Sequence, residues 1–117
     1  MDKPSLPPAI LAEADQFSPA SANPAVARCC KAWSRLFHAE LAEGEIGMVA
    51  ASKAAKAYRN AMPPLSGYDN IRDFIACTAH GMLLGAILGD EGAKLLYAAQ
   101  VALGSIRLQP AASKPAA

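Results

Sequence analysis

The chain has 117 residues, long enough for one compact domain and too short for two. Ala alone supplies 27 of them and aromatics only 6%, a composition that suits closely packed helices and argues against a β-sandwich or barrel. Eleven Lys and Arg against ten Asp and Glu give a net charge of +1, so no global field draws the protein to nucleic acid or an anionic membrane, and three cysteines are too few for a disulfide scaffold.

In chain order, residues 1–23 read as an N-terminal tail carrying a short helix over 8–17, where Pro8 occupies a helix start and Ser18-Pro19-Ala20-Ser21-Ala22 a linker. An early acid, three prolines and the lack of a long apolar core make this stretch unlike a secretory signal. Asn23-Pro24 is a strong helix start, with Asn as N-cap and Pro at the first helical position. The helix that follows is expected over 24–42, ending near Gly44. At about 100° per residue, Val26, Cys29, Cys30, Trp33, Leu36, Phe37 and Leu41 share one face and Arg28, Lys31, Arg35 and His38 the other.

A second helix is expected over 45–61, closed by Pro63-Pro64 because the residue before Pro disfavours the helical region. Its inner face is small (Ile46, Ala50, Ala54, Ala57, Tyr58, Ala61) and its outer face polar (Ser52, Lys53, Lys56, Arg59, Asn60). After a turn over 63–68, a third helix is expected over about 69–88, opened by Tyr68, Asp69 or Asn70 with Ser66 as an alternative cap. Its apolar residues point in most directions, which predicts a helix buried at the centre of the bundle. A fourth is expected over 91–107, with Asp90 and Glu91 at its positive end and Arg107 at its negative end. Its inner face is Leu95, Leu96, Ala99, Ala102, Leu103 and Ile106, and 108–117 read as a disordered tail. The sum is an all-α bundle of four main helices in a single domain over 24–107.

Five features bear on function. Cys77, Gly81, Gly85 and Gly89 are four apart and mark a small-residue ridge. A Gly inside a helix costs about 0.5–1 kcal/mol against Ala, which close approach of another backbone offsets. Gly81, Gly85 and Gly89 are therefore candidate packing or interface residues, for a neighbouring helix or a second copy. Asp73, Cys77 and His80 offer metal-ligand types, but a structural zinc site takes four protein ligands and would need His38, Cys29 and Cys30 as well. The plainer reading is a buried Cys77 beside a surface Asp73–His80 pair, and no metal or cofactor is expected. Cys77 with His80, or Cys30 with His38, has the residue types for nucleophilic catalysis, yet same-helix spacing does not aim sulfur at imidazole, and no catalysis is expected. Arg28, Lys31, Arg35, Lys53, Lys56 and Arg59 form two basic faces that become one phosphate-binding patch if their helices lie antiparallel. The stretch from 45 to 88 has a helix-turn-helix outline, but its last helix is too apolar for a recognition helix. Tyr68-Asp69-Asn70-Ile71-Arg72-Asp73 reads as capping with local charge pairs rather than as an anion pocket.

The segments AMPPLSGYDNIRDFIACTAHGMLLGAI and AKLLYAAQVALG resemble a family of small helical bacterial proteins to which no activity is attached, over roughly residues 57–104. The resemblance implies a bacterial or mobile-element origin and carries no cofactor or catalytic residue. The expectation drawn from the residues is a small cytoplasmic, non-catalytic interaction or accessory protein that self-associates through helix packing, with a protein partner or a second copy and no membrane or small-molecule substrate. Reduced thiols fit that location. The alternatives are a nucleic-acid or phosphate-backbone binder using the two basic faces, and a metal-binding protein or enzyme centred on Cys77 and His80.

Overall fold

The computed structural model describes residues 23–108; the expected helix over 8–17 and the tail residues 1–22 and 109–117 lie outside these. Four α-helices follow one another: α1 (Pro24–Ala42), α2 (Gly47–Asn60), α3 (Tyr68–Leu84) and α4 (Gly89–Arg107). The described residues contain no strand, and the fold is all-α.

α1 begins as its sequence dictates. The Asn23 side chain accepts from the backbone N–H groups of Ala25 at 2.9 Å and Val26 at 3.1 Å, and Pro24 sits where no N–H is needed. Its apolar stripe, Val26, Cys29, Cys30, Trp33 and Phe37, is buried, and Trp33 stacks on Phe37 with ring centroids 4.6 Å apart. A turn with Gly44 at φ +92° reverses the chain. α2 then returns antiparallel to α1. Lys53 Nζ reaches Glu40 at 3.5 Å and Glu45 at 3.7 Å at one end of the pair, and Arg28 Nε donates to the Ala61 carbonyl at 3.1 Å at the other. Ala50, Ala54 and Tyr58 are the buried face of α2. Its small residues let the two helices approach closely.

α3 departs from expectation in three ways. No side chain caps it: Gly67, at φ +83°, precedes the first turn, and Asn70 Nδ2 reaches back to the Ser66 carbonyl at 2.8 Å. The helix ends at Leu84 rather than Leu88, because Gly85 turns left-handed at φ +80°. The apolar residues 86 and 87 fold back instead of extending the helix: Ala86 and Ile87 are buried, and Ile87 N–H donates to the Gly81 carbonyl at 3.1 Å. Finally, α3 is buried along one side only. Ile71, Phe74, Cys77, Thr78 and Gly81 face inward, whereas Tyr68 and Leu83 are open to solvent. Helix α3 still joins the halves of the molecule, packing on α1 and on α4.

α4 starts two residues earlier than expected, at Gly89, with Asp90 and Glu91 in its first turn and Arg107 in its last, as the helix dipole favours. Ala99 is buried against Ile71 and Phe74, with Leu95, Ala102, Leu103 and Ile106 packed around them. Gly92 is buried because Met82 fills the place a side chain would take.

Candidate functional site

The most chemically distinctive place in the molecule is the junction of α1, α2 and α3. Each helix contributes one reactive group at its buried stripe: Cys29 from α1, Tyr58 from α2 and Cys77 from α3, with Cys30 alongside. All are fully buried. Cys29 Sγ donates to Cys77 Sγ across 3.7 Å, and Tyr58 donates its hydroxyl to the Cys77 carbonyl at 2.8 Å. The thiol of Cys29 is pushed above its ordinary value by its hydrogen bond to Cys77 and by burial. Cys77 moves the other way, because it accepts that bond and Arg28 attracts its thiolate, against the opposing effect of burial. Cys30 is raised by burial first and by Cys77 second. Tyr58 is raised by burial and then by the three thiols. The three cysteines are free thiols.

The groups expected to cooperate with Cys77 are elsewhere. Asp73 and His80 do not pair, since seven residues separate them by about 10 Å along a helix. Asp73 instead meets Arg72 at 3.6 Å and Asn23 Nδ2 at 3.4 Å, and Arg72 also pairs with Asp69 at 3.8 Å. The buried Nε2 of His80 has no hydrogen-bond partner among the described residues. His38 lies on the exposed face of α1, its Nδ1 2.7 Å from the Ser34 carbonyl, whereas Cys30 points into the core. No group of three or more His, Cys, Asp or Glu among the described residues is placed to hold a metal ion.

The six basic residues are all exposed on an antiparallel α1–α2 pair, but they are engaged differently. Arg28 and Arg59 donate to backbone carbonyls, Arg59 to Ala86 at 2.9 Å, and Lys53 stands between two glutamates. Lys31, Arg35 and Lys56 have no ion partner among the described residues.

The glycine spacing does not form a ridge. Gly81 is buried, and a Cβ there would lie 2.8 Å from Ile87 Cδ1 and 2.9 Å from Tyr58 Cε1. Gly85 supplies the left-handed turn, and Gly89 opens α4 with open space around it. The stripe ends because α3 ends.

A surface that sequence reading missed lies on α4. Opposite its α3-facing side, Tyr97, Val101 and, just past its last turn, the C-cap residue Leu108 are 70%, 56% and 84% exposed. At about 100° per residue these three fall within 40° of one another. The signal was present, since α4 carries apolar residues on two faces, but only one face was assigned. A second apolar exposure surrounds the bend after α3, where Met48, Leu88 and Arg59 line a shallow groove of ≈ 360 Å³. No helix among the described residues is long and apolar enough to cross a membrane. No protein-family model, curated protein or solved structure matches the chain.

Proposed function

We propose that this is a small non-catalytic interaction protein of the cytoplasm that self-associates through the outer face of α4. The observation that carries this reading is the exposed Tyr97–Val101–Leu108 stripe on a helix whose opposite face is already packed. Apolar residues gathered on one exposed face favour burial against another surface, at about 25 cal/mol per Å² removed from water. The face also suits a copy of itself. In an antiparallel two-fold pair centred at the level of Ala99, Tyr97 of one copy is level with Val101 of the other, so the apolar residues of the two faces meet. Catalysis is not part of this reading, because the reactive thiols and the Tyr58 hydroxyl are sealed in the core.

Light scattering after size exclusion, across a range of concentrations, tests it. A dimer mass is expected for the native chain. The double substitution Tyr97→Asp and Val101→Asp is expected to give a monomer of unchanged helical circular dichroism. A monomer mass for the native chain at every concentration overturns the reading.

A further inference from the structure

We propose that Cys29 and Cys77 are a peroxide-oxidisable dithiol whose disulfide fastens α1 to α3. The α4 reading above makes no use of these groups. The geometry is that of a pair held ready: the sulfurs are 3.7 Å apart, each fully buried, on helices that pack along this stripe and meet again at the Asn23–Asp73 contact. Closing to the bonded S–S distance of about 2.0 Å takes side-chain rotation and a small helix shift. Cys30 is next to Cys29 in sequence, but the short sulfur contact belongs to Cys29.

The two thiols are not equivalent. Cys77 accepts the hydrogen bond from Cys29 and lies within the field of Arg28, an exposed residue at the rim of the cluster. Its thiolate is the favoured nucleophile, and Cys29 keeps its proton until later. Hydrogen peroxide meets the buried pair when the seam between α1 and α3 opens locally. Cys77 attacks one of its oxygens, the O–O bond breaks, and the sulfur becomes a sulfenic acid as the other oxygen takes up a proton and leaves as water. Cys29 then gives up its proton, attacks that sulfur and displaces a second water. Two thiols and one peroxide become one disulfide and two waters, the peroxide taking the two electrons. The bond would join residues 48 positions apart, linking the α1–α2 pair to the α3–α4 pair. A loop of that length restricts the unfolded chain strongly.

The experiment treats the folded full chain with a few equivalents of hydrogen peroxide, quenches it, and compares intact mass and non-reduced peptides. Expected are the loss of two hydrogens, a Cys29–Cys77 linked peptide reversed by dithiothreitol, and a higher urea midpoint for the oxidised chain. Cys30→Ala should keep the cross-link and Cys29→Ala should lose it. Because the latter variant can fail to fold, the native chain decides: oxygen adducts without a cross-link, a Cys30–Cys77 link, chain-to-chain linkage or a lower midpoint each overturn the proposal.

Discussion

Tyr58 spans the core to donate its hydroxyl to the backbone carbonyl of Cys77, 2.8 Å away and out of reach of water. The same ring lies against Gly81, one turn further along α3. One side chain of α2 thus sets the height and the distance of α3. A tyrosine at this position does what an apolar residue of equal size cannot, because a carbonyl inside a helix already serves its own ladder and accepts a second donor only from a well-placed partner.

Removing that hydroxyl with Tyr58→Phe should cost about 1–2 kcal/mol, measured by urea unfolding at neutral pH. The deficit should shrink in alkali. Burial and the neighbouring thiols raise Tyr58 well above its ordinary value of 10.0, so the folded chain holds this proton where the unfolded chain releases it. The contribution is fully present below about pH 10 and falls by about 1.4 kcal/mol per pH unit above it. Native chain and Tyr58→Phe should therefore converge near pH 11 (about one unit past the ordinary tyrosine value). Parallel curves across that range would mean that Tyr58 ionises in the folded state.

Three glycines spaced by four should respond in three different ways to Ala. At Gly81 the new methyl meets Ile87 and Tyr58 at under 3 Å, and the cost should be about 1–3 kcal/mol. At Gly85 there is room, but φ is +80°, so the cost is backbone strain of about 1–2 kcal/mol. At Gly89 there is room and no strain, and stability should stay within about 0.5 kcal/mol. Equal costs at all three in thermal or urea unfolding would restore a continuous packing ridge.

Those glycines also mark where sequence reading works and where it stops. α1 was legible to the residue, because Asn-Pro announces a start and its apolar stripe has one period. α2 and α4 were legible within two residues. The end of α3 was not, since a Gly at helical spacing among leucines looks the same whether it continues a helix or leaves it left-handed. Only the burial of Ile87 against Gly81, a contact made after the turn, decides between them. The thiol junction was half legible: periodicity placed Cys29 and Cys30 on the buried face of α1, but that Cys29, not His80, would face Cys77 depends on how α1 and α3 cross. The two apolar faces of α4 were written in the sequence and read as one.

Asn23 holds the first turn of α1 through two backbone donors and reaches Asp73 of α3. Asn23→Ala should lose about 1 kcal/mol in the urea transition. Asn23→Asp should retain the cap, being an equally good acceptor, but it sets two carboxylates side by side. Its stability should therefore recover on adding salt, whereas that of Asn23→Ala should not.

A cationic surface used for nucleic acid would rest on Lys31, Arg35 and Lys56, the three bases of α1 and α2 with no ion pair or backbone bond among the described residues. With Lys53 neutralised by Glu40 and Glu45, few phosphates can be contacted at once, and affinity that rests on few contacts is weak at physiological salt. A labelled oligonucleotide should thus show no saturable rise in fluorescence anisotropy at about 0.15 M salt. A saturable rise there, lost on combining Arg35→Glu with Lys56→Glu and insensitive to Tyr97→Asp, would move the working surface from α4 to the α1–α2 pair.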